Sequence, residues 1–204
     1  AQHSRFRTVG EEVVFGEEDG LPPVVLTLHD GRKIALRGKI DRIDRWEGDE
    51  GVYLLVSDYK SSHRDIDPTR LWYGLQLQLL LYLQAACEGL DGNPAGAFYF
   101  TLKDPMVDTA DVKEAAEKAI AKKLHLKGIV LADVDVVEAL DSEPGYSFTK
   151  IFNADSSVAS SSDGYTPEEM AALLAHAKKM AAELADRIRS GEITPSPAVI
   201  SDWN

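Results

Sequence analysis

The stretch RGKIDRIDRWEGDEGVYLLVSDYK, Arg37 to Lys60, decides the reading of this chain. Val52 to Tyr59 is apolar and β-branched enough to be a strand, and Gly48-Asp49-Glu50-Gly51 separates it from the strand before it. Asp58 and Lys60 end that strand two residues apart, on the same face as Val52, Leu54 and Val56. If the four-residue loop makes Glu47 pair with Val52, Asp41 falls directly opposite Asp58, with Cβ atoms roughly 4.5–5.5 Å apart. Like charges facing each other across a sheet are destabilising unless something sits between them. A divalent cation fits there, since Mg²⁺ is commonly held by one or two carboxylates plus phosphate oxygens and water. A slip of one residue in the register would send the two carboxylates to opposite faces.

Working outward, residues 11 to 44 read as strands: Val13-Val14-Phe15, then Val24 to Leu28, a turn at His29-Asp30-Gly31-Arg32, and alternation through Ile34, Leu36 and Ile40. Together with Val52 to Tyr59 they predict an antiparallel meander. Asp67-Pro68 is a helix start, and the helix is expected to run to about Glu88 and stop at Gly89. Its leucines fall all round the wheel, as in a buried helix. Ala95 to Leu102 reads as an interior strand, residues 111 to 124 as an amphipathic helix, and Ile129-Val130-Leu131 and Phe148 to Phe152 as short strands. Asn153 to Gly164 is a serine-rich loop. Thr166-Pro167-Glu168-Glu169 is a capping box for a helix ending near Arg189-Ser190-Gly191, and the last residues read as extended. The fold class is α/β: one domain over residues 1–204, a mixed sheet built on an antiparallel meander and flanked by helices 68–88, 111–124 and 167–189.

Composition narrows the function. The 204 residues carry 34 Asp+Glu against 22 Lys+Arg, a net charge of −12, which argues against gripping nucleic acid by charge alone. Residues 30 to 70 are locally neutral, with nine bases and nine acids, so polyanion or metal chemistry belongs there. The single cysteine, Cys87, excludes a disulfide framework and a self-contained cysteine cluster; it reads as a small buried apolar residue. No stretch is long and apolar enough to span a bilayer, and no basic-then-apolar leader opens the chain, so a cytoplasmic setting is the default.

The acid-x-lysine tripeptide is weak by itself. It occurs twice, at Asp58-Tyr59-Lys60 and Asp111-Val112-Lys113, about as often as composition dictates, and only the first ends an apolar strand. The physical roles at that strand end are then Asp41 and Asp58 holding Mg²⁺, helped by the Tyr59 backbone carbonyl, with Lys60 beside a scissile phosphate. The competing reading is an ion cluster in which Asp41 or Asp58 pairs with Lys39 or Lys60. Gln78 and Tyr82, at i and i+4, are neighbours on one helix face and either satisfy each other or meet a ligand. Trp72 and Tyr73 read as core residues, with base stacking as the other possibility. His29, His63, His125 and His176 show no metal spacing, and His3 and Glu12 are candidate ligands only by proximity.

The combination of Gly38-x-x-Asp41, Asp58-x-Lys60 and the glutamine helix YGLQLQLLLYLQA resembles the PD-(D/E)XK nucleases of the RecB type. More closely it resembles the nuclease domains of the AddB family of ATP-dependent helicase/deoxyribonucleases, over about residues 5 to 195. The resemblance implies a restriction-endonuclease-like fold and a Mg²⁺-dependent (Mn²⁺ possible) deoxyribonuclease, an exonuclease on unwound single strands in double-strand break repair and recombination. It makes Asp41, Asp58 and Lys60 the catalytic set, with Asp41, Asp58 and Tyr59 on the metal. It places Gln76, Gln78 and Tyr82 on the helix that positions DNA or the active-site lysine. It implies a partner subunit of the AddA type that delivers the strand, and it makes this chain part of a larger polypeptide. Relatives carry a 4Fe-4S cluster whose cysteines are absent from this chain. The alternative is a catalytically degenerate nuclease fold serving as a DNA-end or subunit docking module.

Overall fold

The structure is a computed structural model and describes residues 4–61, 66–101, 127–141, 151–159 and 162–192. Strands β1 (Arg7–Phe15), β2 (Val24–Thr27), β3 (Lys33–Leu36), β4 (Gly38–Gly48) and β5 (Gly51–Lys60) come first. Helices α1 (Pro68–Trp72) and α2 (Gln78–Leu90) follow, then β6 (Asn93–Thr101), β7 (Lys127–Leu131), α3 (Val134–Leu140), β8 (Gly164–Tyr165) and α4 (Pro167–Arg189). A six-stranded mixed sheet has the order β1-β4-β5-β6-β7-β8. The β1–β4, β4–β5 and β6–β7 pairs are antiparallel, and β5–β6 and β7–β8 are parallel.

The expected α/β class, a mixed sheet with helices against it, is what the chain forms. Three features depart from the expected layout. The meander is incomplete, because β2 and β3 pair only with each other in a separate two-stranded sheet. Their Asp-Gly turn closes the hairpin on itself, with Gly31 N–H donating to Leu28 O at 3.0 Å, and leaves β1 to pair with β4. The helix expected over 68–88 is two helices, broken at Tyr73–Leu77 where Gly74 takes φ +75°. An L-residue in that conformation is strained, and a helix cannot run through it. The second helix passes Gly89 and stops after Leu90, with Asp91 left-handed at its end. Helix α3 and strand β8 were not expected; α3 is a short helix capped by Asp133, which accepts from Val136 N–H at 3.0 Å. The helix expected over 111–124 lies outside the described residues, as do residues 148–150 of the last short strand, whose Phe152 makes only a single bridge, to Val158.

The capping box is formed as read. Thr166 Oγ1 accepts from Glu169 N–H at 3.2 Å and Glu169 Oε2 accepts from Thr166 N–H at 2.9 Å, so α4 starts with two of its orphan donors satisfied.

Helix α2 is the centre of the core. Leu79, Leu80, Leu83, Ala85 and Ala86 are buried, with the sheet on one side and α4 and the β2–β3 hairpin on the other. Gln84 is buried too and donates to Leu174 O of α4 at 2.8 Å. A helix with leucines all round it has to be largely enclosed, and the parallel β5–β6 step, which needs a crossover, is what encloses it. That crossover sets the first turn of α2 beside the end of β5.

Candidate active site at the end of the central strands

The β4–β5 ladder has the register that the loop length implied, from Gly48↔Gly51 and Glu47↔Val52 to Arg42↔Ser57. One step further the two strands no longer exchange backbone bonds. Instead Asp41 Oδ2 accepts from Tyr59 N–H at 2.8 Å. The N–H and C=O of a residue in an antiparallel strand point to the same edge, so the Tyr59 carbonyl opens towards the same gap. Asp41 is half-buried, and Asp58, next to Tyr59, is only 3% exposed.

Lys60 returns over the same spot. Its Nζ lies 2.6 Å from Asp58 Oδ2, yet off the line of a good hydrogen bond, so that buried oxygen has a counter-charge and no hydrogen-bond donor among the described residues. The ammonium also stands 5.6 Å from the Tyr99 ring centroid and 3.5 Å from Gln78 Oε1, to which it donates a long hydrogen bond. Gln78 Nε2 in turn donates to the Tyr82 hydroxyl at 2.7 Å. Of the two readings of the Gln78–Tyr82 pair, mutual satisfaction is therefore realised, and the pair carries on to Lys60. Gln76 Oε1 accepts from Asp67 N–H at 2.9 Å and ties the start of α1 to the α1–α2 turn. The ion-cluster reading is realised in part as well, since Lys60 pairs with Asp58 while Lys39 pairs with Glu12 at 2.5 Å.

Gly38, three residues before Asp41, has a packing reason. A Cβ there would sit 2.6 Å from Phe15 Cε1 and 3.4 Å from Tyr82 Cε1. Phe15 and Tyr82 meet edge to face at 5.8 Å, so the missing side chain lets the Tyr82 end of the relay close on β4.

A second polar group braces β4 and β5. Arg42 Nε and Nη2 hold Asp44, itself 5% exposed, at 2.8–3.0 Å, and Thr8 Oγ1 donates to the same carboxylate at 2.8 Å. The Asp44 carboxylate and then the Tyr59 phenol keep the Arg42 guanidinium more firmly protonated than usual. Arg42 thus links β1, β4 and the residue between Asp58 and Lys60. Its signal was present as opposite charges at i and i+2 on one strand face, Arg42 and Asp44, and the sequence reading passed over it. Tyr99 was also passed over; it pairs with Asp58 across the parallel β5–β6 step, which no local pattern encodes.

Glu12, named for its proximity, lies between the pairs Glu11↔Arg42 and Val13↔Ile40, and so beside Asp41 in register. It takes φ +54°, a strained value for a non-glycine residue, and its carboxylate is held by Lys39. His3, His63 and His125 lie outside the described residues. Cys87 is half-buried against the core, and desolvation pushes its thiol up to about 12, as suits an inert apolar filler.

The donor set suits a hard divalent cation. Asp41 accepts from the Tyr59 N–H next to Asp58, and Asp58 Oδ2 is buried with no hydrogen-bond donor among the described residues. No group of three or more His, Cys, Asp or Glu side chains gathers among the described residues. Carboxylate oxygens are what a hard divalent cation takes, and Mg²⁺ is commonly held by only one or two of them.

Residues 1–199 match the PD-(D/E)XK nuclease superfamily. The chain belongs to that superfamily. Among curated proteins it is 36% identical over 203 residues to the B subunit of the ATP-dependent helicase/deoxyribonuclease of Alkaliphilus metalliredigens, covering 94% of this chain and 18% of the relative. The same-named protein of Thermoanaerobacter sp. is 36% identical over 206 residues, and that of Bacillus pumilus 33% over 214, again with 18% of each relative covered. This PD-(D/E)XK chain therefore spans less than a fifth of the length of these relatives. No helix among its described residues is long and apolar enough to cross a membrane.

Proposed function

We propose that this chain is a metal-dependent deoxyribonuclease domain that hydrolyses phosphodiester bonds in unwound single strands, as an exonuclease within a helicase–nuclease that processes double-strand breaks for recombination. The observations that support it are the Tyr59 N–H bond to Asp41 and the Lys60–Asp58 ion pair at the end of β5. The names of the relatives, all of them helicase/deoxyribonuclease subunits, support the substrate and the presence of a motor partner.

Asp41 and Asp58 would hold the cation, Mg²⁺ or Mn²⁺, with the Tyr59 carbonyl as third protein oxygen. When bound, it neutralises charge on a phosphoryl oxygen and supplies a water of lowered pKa. The chain's own residues do the remainder. Asp41, by accepting from Tyr59 N–H, fixes the strand end on which Asp58 and Lys60 sit. Lys60 brings a positive charge to the place where negative charge develops on the phosphate, and the Gln78–Tyr82 pair limits where that ammonium can go. The net charge of −12 fits a domain that relies on a partner for most of its grip on DNA.

The test is cleavage of an end-labelled single strand with Mg²⁺ or Mn²⁺, comparing the wild-type chain with Asp58→Ala in parallel with thermal melts. Metal-dependent cutting that Asp58→Ala abolishes, in a variant that still melts cooperatively, supports the reading. Equal cutting by both proteins rejects it. Strand binding without cutting by the wild type would favour the docking-module alternative.

A further inference from the structure

Trp72 and Tyr73 do not sit in the core: they are 65% and 68% exposed, the two most exposed aromatic residues described. Their exposure corrects the core reading, and its cause is local. Leu71 takes the buried position at the end of α1, and Gly74 turns the chain immediately after Tyr73. Two adjacent exposed aromatics make a contiguous apolar patch, and such patches, when large, mark interaction sites.

The Trp72 ring is also held in place. It stacks on the His176 imidazole of α4 with centroids 4.4 Å apart and planes 7° from parallel, and His176 Nε2 is 2.9 Å from the Trp72 carbonyl oxygen. One face of the indole is thus covered by a flat polar ring and the other faces solvent. The turn carrying it is fixed at both ends, by Asp67 capping Thr69 N–H and by Gln76 on Asp67 N–H. Gly74 lies close against Met180, and its Cβ would be 3.3 Å from the Met180 methyl group.

The position of the platform selects its occupant. Tyr73 is five residues from Gln78, whose amide oxygen faces Lys60, so its Cα lies within about 18 Å of the Gln78 Cα by chain length alone. The platform's flanks carry cations, each beside a carboxylate. Arg70 precedes it and is held only loosely, at 3.5 Å from Asp67; Lys179 follows His176 by one turn and is 71% exposed, 3.8 Å from Glu183. A rigid, solvent-facing aromatic plane flanked by cations is the arrangement that stacks single-stranded bases without reading their sequence.

We propose that Trp72, backed by His176 and flanked by Tyr73, is a stacking platform for a base of the single strand a few nucleotides from the scissile bond. This inference rests on the nuclease reading for its substrate, but its test does not need catalysis. Affinity for a fluorescein-labelled single-stranded oligonucleotide is measured by anisotropy in EDTA, with the full chain and with Trp72→Ala, Trp72→Leu and Trp72→Phe. Loss of one stacked base should weaken binding about 5- to 150-fold in Trp72→Ala. Trp72→Leu should lose about as much despite its apolar side chain, while Trp72→Phe recovers most of the affinity. Unchanged melting temperatures are expected, because the indole is exposed.

Equal affinity in all four proteins would overturn the proposal and assign the exposed aromatics to a protein partner. So would a loss in Trp72→Ala that Trp72→Leu restores, since that marks a merely apolar contact. No measurable strand binding by the wild type also overturns it. If the platform behaves as expected and no cutting is seen with Mg²⁺ or Mn²⁺, the nuclease reading fails while the strand site stands. If cutting proceeds with unchanged KM in Trp72→Ala, the platform fails while the nuclease stands.

Discussion

Lys60→Met isolates what holds the Asp58 charge. The Asp58 side chain is 5% exposed and Lys60 Nζ, 2.6 Å away, is the cation beside it. Removing one partner of a buried pair costs about 3–5 kcal/mol, because it strands the other charge. The lower end applies here, since the Lys60 side chain is 23% exposed and its contact is poorly aligned. A loss of about 3 kcal/mol lowers Tm by about 6–12 °C in a chain of this size. A cation bound at the same carboxylate would restore most of that: at 100 times Kd it contributes about 2.7 kcal/mol. Differential scanning fluorimetry in EDTA and in MnCl₂ reads both effects. Lys60→Met should melt well below wild type in EDTA and regain most of the difference with Mn²⁺. The double variant Asp58→Asn/Lys60→Met should melt near wild type in EDTA, with both charges gone, and should lose most of the Mn²⁺ response. An unchanged Tm for Lys60→Met in EDTA, or a full Mn²⁺ shift in the double variant, would refute the reasoning.

Two further perturbations test the supports of the site. Gly38→Ala puts a methyl group 2.6 Å from the Phe15 ring, and overpacking of this kind costs about 1–3 kcal/mol, read as a lower urea midpoint. Because Tyr82 shares that contact, its cutting rate should fall more than its stability alone explains. Cys87 should resist alkylation by iodoacetamide at pH 8 in the native chain and react once the chain is unfolded in urea, since burial pushes its thiol up to about 12. The sign of the linked stability follows: the folded thiol holds its proton longer than the unfolded one, so its contribution is intact below about 9 and is lost as pH climbs towards about 12. Rapid native alkylation at pH 8 contradicts the burial.

Much of this was legible in the sequence because it was encoded locally. A four-residue loop sets one register, and the ladder keeps it from Gly48↔Gly51 to Arg42↔Ser57, one step short of Asp41 and Asp58. The capping box of α4 and the Asp67 cap of α1 were likewise readable from a few adjacent residues. What escaped depends on contacts between distant segments. The break at Gly74 did not show, because a lone glycine in a leucine-rich helix is tolerated unless tertiary structure demands a positive φ; here Gly74 meets Met180 of α4. The separate β2–β3 sheet escaped for the same reason, since alternation tells which face is buried but not which sheet a strand joins. Gln76 shows the same limit: it lies in the turn between α1 and α2, and its Oε1 accepts from Asp67 N–H, a contact that the expected single helix did not contain.

The proposed function requires that Asp41, Asp58 and the Tyr59 carbonyl form a cation site. Anomalous diffraction from a crystal of this chain soaked in MnCl₂ tests it most directly. A peak is expected in the gap between β4 and β5, bonded to both carboxylates and to the Tyr59 carbonyl oxygen. A crystal in which the carboxylates stand as described and no peak lies between them, or in which Mn²⁺ binds elsewhere, would contradict it.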